Sequence, residues 1–413
     1  KNGACNLLFT AYAQEHTMTK RILLAAITAS SALTSGLAWA DESANVSSNA
    51  SSNVVTSALA NGTINGEVYV GFFDKGYDLD NSSAASGYSA SDIELDELRL
   101  GYSTRISDST ELSIEIELES DDVIYDLFVA KSINDTTTIT AGRFKQIASR
   151  SAAMERSDNP LTTSVSLLDI AAEANDTTVN GYALDDLALL TAGFARRVDG
   201  VELKTASESG LNGTFSLYKG GNDSTDGDFE RNFGLAGSTG WQAVGDTRQY
   251  GFTAAWFLQD GDQSDTGNSA DSHGYSFTAN LATEFFAGSI TYSGSEVDVE
   301  QLGVTTTNDV DGMAIAGVIN LYDAQRSYDQ YGVLQGPTAL EDELSCEAGF
   351  NASTTSIDDG TSTIDINTIG IAFNAYYGAY TKLYITWSEE EWEFDGGKNY
   401  VVDQLAIGAR LDF

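Results

Sequence analysis

The chain has 413 residues, with 61 acidic against 21 basic side chains and a formal net charge of −40. That balance excludes nucleic acid as a natural partner, because a phosphate backbone needs a basic footprint. Two Cys and two His in the whole chain supply a disulfide framework, a His-ligated metal site or a catalytic triad poorly, so no metal and no cofactor is expected.

Residues 1–17 precede a plausible initiator, Met18, and read as upstream read-through. From Met18 the pattern is that of a secretory signal: Lys20 and Arg21, an apolar and small-residue stretch from Ile22 to Leu37, then Ala38-Trp39-Ala40 as an A-x-A cleavage site. A membrane-helix anchor is the alternative for residues 18–40. The stretch is short for one, diluted by Ser and Thr, and followed at once by Asp41. Three basic residues (Lys1, Lys20, Arg21) and one acid (Glu15) fall before residue 41, which leaves 18 basic against 60 acidic residues beyond it. Cys346 and His273 are then the only Cys and His left. Residues 41–62 are rich in Ser, Asn and Ala without sustained periodicity and read as a flexible lead-in.

From Thr63 to Phe413 the chain is a run of short alternating segments broken by polar loops, as one all-β domain requires. No stretch there has the roughly 20 apolar residues of a membrane helix, so any membrane crossing is by strands. The clearest strand is Glu111–Glu119. Leu112, Ile114, Ile116 and Leu118 point one way; Glu111, Ser113, Glu115, Glu117 and Glu119 point the other. Further strands are expected at Ile64–Phe73, Leu98–Ile106, Val123–Ala130, Thr138–Lys145, Gly213–Tyr218, Tyr250–Phe257, Tyr275–Leu281, Ser289–Ser293, Gly312–Tyr322, Thr368–Tyr376 and Lys382–Trp387. Ser107–Thr110 reads as a short turn, and Tyr77–Asp92, Gly220–Arg231 and Gln259–Ser272 as long loops. In the final strand Leu405, Ile407, Ala409, Leu411 and Phe413 share an apolar face, opposite Gln404, Ala406, Gly408, Arg410 and Asp412. Its end at Phe413 resembles the terminal-Phe assembly signal of bacterial outer-membrane proteins. Short turns on one side, long loops on the other and about 9–11 residues per crossing give a transmembrane antiparallel β-barrel of about 16 strands over residues 63–413.

Residues 138–180 break the pattern. The strand Thr138-Ile-Thr-Ala-Gly-Arg-Phe-Lys145 runs into a long segment containing Met154-Glu155-Arg156-Ser157 and Asn159-Pro160. Here the sequence resembles the phosphate-selective porin family of Gram-negative outer membranes, in which a Gly-x-Phe-Lys strand end precedes a loop with a Met-Glu-Arg element. Glu97-Leu98-Arg99-Leu100-Gly101, Ile124-Tyr125-Asp126, Asn374-Ala375-Tyr376-Tyr377 and the closing strand are weaker points of similarity. The resemblance implies a homotrimeric porin in the bacterial outer membrane, set among lipid and lipopolysaccharide. It would pass ions and small hydrophilic solutes, phosphate or other anions among them, and its loop would fold into the barrel. The family's Pro-Phe-Gly after the Lys is Ile147-Ala148-Ser149 here, and the excess of acid over base departs from an anion-drawing wall.

Read from the residues, Phe144 and Gly142 facing lipid would turn Arg143 and Lys145 inward, and Leu98, Leu100 and Tyr102 facing lipid turn Arg99 inward. These cations, facing Glu155, Asp158, Asp169 and Glu173 on an infolded loop that also carries Arg156, would set a transverse field across the pore. Glu115, Glu117 and Glu119 would line the lumen. Two other classes compete. An outer-membrane enzyme needs a nucleophile and base in reach, but His273 and Ser276 are an odd separation apart and fall on opposite faces of a strand. A secreted or surface adhesin without channel activity would use the Asp-rich loops for calcium, yet no Asp-x-Asp-x-Asp-Gly run with a following Glu appears.

Overall fold

Period-two alternation dictates extended strands, and a chain of such strands is stable only if its edges are paired. The computed structural model describes residues 62–79, 88–118, 124–146, 148, 159–161, 166–168, 178–179, 182–183, 197–219, 229–245, 247–263, 268–301, 304–337, 344–378, 381–397 and 399–412. Among these, sixteen strands form one closed antiparallel barrel. They are β1 (Thr63–Leu79), β2 (Tyr88–Ser107), β3 (Thr110–Glu117), β4 (Ile124–Asn134), β5 (Thr137–Lys145), β8 (Arg197–Ala206), β9 (Leu211–Lys219) and β10 (Phe229–Val244). They continue as β11 (Arg248–Gln263), β12 (Asn268–Thr283), β13 (Phe286–Gln301), β14 (Val304–Tyr322), β15 (Leu344–Asp358), β16 (Thr363–Tyr377), β17 (Thr381–Phe394) and β18 (Tyr400–Asp412). A small separate hairpin pairs β6 (Thr178–Val179) with β7 (Tyr182–Ala183) between β5 and β8. The barrel closes where β1 pairs β18, from Glu67 opposite Asp412 to Leu79 opposite Tyr400.

On most strands one parity carries the large apolar side chains that stay accessible; on β3 and β4 that parity holds Leu112, Ile114 and Val129, which are buried against one another. On β16 the accessible ones are Ile369, Ile371 and Phe373, 45–54% exposed, and the alternating residues Ala372, Asn374 and Tyr376 are buried. On β8 and β9 they are Val201, Leu203, Phe215 and Leu217, against buried Glu202, Thr214, Ser216 and Tyr218. The first set is the lipid face and the second the interior. Trp241 and Tyr250 lie near strand ends on the outer face with centroids 5.6 Å apart, where amphipathic rings bridge acyl chains and headgroups, and Tyr275 and Tyr292 pair midway along β12 and β13 at 6.2 Å.

Most expected strands are present, and several run further than alternation alone marks. The stretch read as the loop Tyr77–Asp92 is paired at both its ends, with β1 and β2 continuing to Tyr77 opposite Tyr88, and its residues 80–87 lie outside the described residues. Likewise β11 and β12 extend to Gln263 opposite Asn268, inside the expected loop Gln259–Ser272. Beyond the bilayer both faces meet water, so polar residues on both sides no longer exclude a strand. The turn at Asp108–Ser109 lies where Ser107–Thr110 was expected.

The face assignment carries a direct test. Ile371→Lys, in the middle of the outer face of β16, should impair assembly by about 2–4 kcal/mol, while Thr368→Lys on the inner face should be tolerated. Refolding yield scored by heat-modifiable gel migration reads the difference. Equal tolerance of both would reverse the assignment.

Candidate functional site: the lumen and its infolded loop

The inner wall of β18, β1, β2 and β3 carries a charge cluster set by register. Arg99 lies opposite Glu67 on one side and Glu117 on the other, so the three share the inner face. The Arg99 guanidinium is nearly fully buried. Nη1 donates to Glu67 Oε1 at 3.2 Å and lies 3.5 Å from Glu115 Oε1; Nη2 is 3.8 Å from Glu117 Oε1; Nε faces Glu97. Arg410 joins through Nη2 to Glu67 Oε2 at 3.3 Å and Nε to Asp412 Oδ1 at 2.7 Å. Arg197, the first residue of β8, donates Nε–H to Asp126 Oδ1 at 2.8 Å. Its Cζ and that of Arg99 lie 3.1 and 3.5 Å from the centroid of the same Tyr125 ring, a cation–π geometry. Three guanidiniums on this wall thus face six carboxylates: Glu67, Glu97, Glu115, Glu117, Asp126 and Asp412. Arg99, Glu115 and Glu117 lie where alternation placed them.

Arg143 does not: it pairs with Leu127 and Asp199, on the outer parity of Val201 and Leu203. Lys145 lies opposite Arg197 at the end of the strands, where register does not decide the side, because Arg197 of the same parity reaches the inward Asp126. The expectation that Phe144 and Gly142 face lipid is reversed: Phe144 is 3% exposed and packs inside with Ala148, Val198, Tyr218, Ala236 and Phe257. The reason is that the interior is locally dry. Where the chain leaves β5 to enter the barrel, the inner wall needs an apolar seat, and Phe144 supplies it. Glu119, Glu155, Arg156, Asp158, Asp169, Glu173 and Phe413 lie outside the described residues. The transverse field expected between a basic wall and an acidic loop therefore rests on residues outside the described ones. Acids and bases are interleaved on one wall.

The segment after β5 does enter the barrel. Gln146 is buried at its start, and Ala148 is buried in the apolar cluster of β4 to β11. Further on, Leu167 is fully buried among Val297, Ile357, Ile364, Ile366, Trp392, Phe394, Tyr400 and Val402, on the inner faces of β13 to β18. Its amide donates to Glu390 Oε1 at 2.8 Å. Between these anchors Asn159-Pro160-Leu161 lies against β15 to β17. Lys382 Nζ donates to the Asn159 carbonyl at 2.9 Å and Asn374 Nδ2 to the Pro160 carbonyl at 2.8 Å. Gly349 and Gly370 make that approach possible, because a Cβ on either would collide with Pro160 or Leu161. The loop is seated on one wall and caught on the other.

Glu347 is the residue the sequence reading missed. It is fully buried on the inner face of β15 and accepts from Arg326 Nε and Nη2, both at 2.7 Å, Tyr376 Oη at 2.7 Å and Asn374 Nδ2 at 2.9 Å. A lone acid between Cys346 and Ala348 gave no signal of this. Asn374-Ala375-Tyr376 was noted only as a point of family similarity, and its two inward side chains are the partners. His273 and Ser276 fall on opposite faces of β12, His273 opposite Leu258 on the outer parity and Ser276 opposite Ala255 on the inner one, so they do not form a nucleophile–base pair.

No protein-family model and no curated protein matches the chain. Among solved structures the barrel is similar to an anion-selective porin from Comamonas acidovorans, at 11% identity over 86% of this chain and 99% of that one, with a TM-score of 0.51. It is similar also to the outer membrane channel DcaP of Acinetobacter baumannii, at 12% identity over 86% and 98% of the two chains, with a TM-score of 0.51. At this identity the likeness is one of fold, that of an outer-membrane β-barrel.

Proposed function

We propose that the protein is a porin of the bacterial outer membrane, a water-filled channel for ions and small hydrophilic solutes. The observation that carries the reading is the segment after β5. It is seated against Phe144 and Phe257 on one inner wall and caught at Leu167 on the opposite arc, so it narrows a barrel otherwise lined by polar and charged groups. A surface adhesin has no need of a loop anchored across its interior. The six carboxylates around three guanidiniums on the β18–β4 wall favour a weak cation preference or none. The anion selectivity of one structural neighbour and the phosphate selectivity of the resembled family are not carried to this chain. A homotrimer, implied by the same resemblance, belongs to this proposal.

Planar-bilayer recording of the purified protein tests it. Stepwise conductance is expected, with a reversal potential in a potassium chloride gradient near zero or slightly on the cation side. Absence of conductance steps would sink the channel. Strong anion preference would show that the wall described here does not govern permeation. Migration before and after boiling reads the oligomer.

A further inference from the structure

The barrel has short connections at the end that holds the β2–β3, β4–β5, β8–β9, β10–β11 and β12–β13 turns. One connection at that end is different. Between β14 and β15 the chain runs from Asp323 to Glu343, far longer than a hairpin turn needs. Its residues 323–337 do not lie outside the barrel. They turn into it.

The turn inward begins at Asp323, whose φ of 46° is in the left-handed region. Ala324, Arg326 and Tyr328 then alternate into burial, and Tyr331 and Val333 are buried beyond them. It meets inward-facing groups of the barrel wall on several strands. Arg326 makes its two-pronged contact with Glu347 on β15 and donates from Nη2 to Tyr376 Oη on β16 at 3.0 Å. The Tyr328 amide donates to Gln249 Oε1 on β11 at 2.8 Å. The Tyr328 ring packs with Ala282 of β12 and Ala287 of β13. Gly332, at φ 82°, sits so close to Gln242 of β10 and Asn280 of β12 that a Cβ would collide with their amides. The segment closes on itself as a small hairpin. Tyr328 bridges Leu334, and the Asp329 carboxylate accepts from the amides of Tyr331 and Val333 at 2.8 and 2.9 Å. From β10 to β16 it spans about half the circumference, and the exposed side chain of Gln330 sits at its tip.

We infer that residues 323–337 form a second constriction, reaching into the pore from the short-turn mouth and limiting conductance together with the loop after β5. The inference rests on the channel reading above. What makes the two narrowings one assembly is Glu347 with Asn374. The amide of Asn374 donates both to Glu347 Oε1 and to the carbonyl of Pro160 in the other loop. The two inserts, arriving from opposite mouths, are pinned at one point of the wall. A surface turn that merely capped the barrel rim would have no use for a buried ion pair and a packed tyrosine inside it.

The test compares single-channel conductance of the full chain with two variants. Deleting residues 325–336 should raise conductance about twofold or more, since permeation is governed by the narrowest section. The second variant, Gln330→Cys in a Cys346→Ser background, keeps the segment intact. Reaction with a bulky thiosulfonate reagent should then cause a stepwise loss of conductance that a reductant reverses. If the deletion does not yield a heat-modifiable barrel, the labelled variant alone decides. If the wild-type chain conducts while deletion and labelling leave its conductance unchanged, the segment lies outside the permeation path and the inference is overturned. If neither the wild type nor any variant conducts, the channel reading falls and this inference with it. A silent wild type with a conducting deletion variant would support the constriction in its extreme form, a closed plug.

Discussion

Glu347→Ala should lower the unfolding free energy of the barrel by about 3–5 kcal/mol, the cost of stripping one partner from a buried ion pair. The carboxylate accepts four hydrogen bonds from three side chains, and its removal strips the buried Arg326 guanidinium of its two-pronged carboxylate partner. Glu347→Gln keeps an acceptor oxygen for Asn374 and Tyr376 and should cost less. The double replacement Arg326→Met with Glu347→Leu removes both charges and should recover most of the loss, since an apolar pair of similar volume replaces a buried ion pair at little cost. Urea unfolding in detergent micelles or bilayers, followed by tryptophan fluorescence, measures all three. A loss under about 1 kcal/mol for Glu347→Ala would mean that the pair is solvated, and that neither insert depends on it.

What the sequence disclosed follows from where water lies. On β3, on β9, in the middle of β16 and at the end of β18 one face is apolar and the other polar or small, so alternation is clean and those strands were legible. On β10 the outer face includes Gly237, which leaves room for the Trp256 ring, and Gly240 adds another residue without a side chain to pattern. On β15 the residues between Leu344 and Phe350 are small or polar: Ser345, Cys346, Glu347, Ala348 and Gly349. Neither strand showed a large-apolar alternation, and neither was expected. β8 was missed for another reason. Its inner face begins with Val198, packed on Phe144, so apolar residues occur on both faces.

The same physics reversed Arg143. The rule that aromatic residues face lipid holds only where the interior is wet. Beneath an infolded loop the interior is a packed core, and Phe144, Tyr218 and Phe257 serve it from the inside. The loop after β5 was legible because it was long and interrupted the alternation. The insert between β14 and β15 was not, although Tyr328, Tyr331, Val333 and Leu334 give it an apolar content that a solvated turn has little use for. Nothing local says that such residues are buried inside a barrel rather than under a neighbouring loop. That depends on Arg326 finding Glu347, a contact made across the β14–β15 connection and absent from any short window of sequence.

Arg99→Gln should move the reversal potential toward cations and destabilise the barrel. Arg99 is the central cation of its wall. Glu67, Glu115 and Glu117 lie within 3.8 Å of its guanidinium, with Glu97 in contact as well. At an effective dielectric constant of about 20, one such attraction at 4 Å is on the order of 4 kcal/mol before desolvation is subtracted. Gln restores none of it and leaves the carboxylates to repel one another. The lumen field becomes more negative, so cation preference rises, and the shift should shrink as salt screens the wall from passing ions. Two controls separate this from a general charge effect. Arg248→Gln changes an exposed residue at the short β10–β11 turn and should leave selectivity nearly unchanged. Arg143→Gln removes a cation that the strand register places on the outer parity, and it too should leave the reversal potential where it was. If Arg143→Gln shifts selectivity as far as Arg99→Gln, Arg143 faces the pore and the register of β5 against β4 and β8 is wrong. If Arg99→Gln shifts nothing, the β18–β4 wall is shielded from the ion path, and selectivity is set at the narrowings held by Glu347.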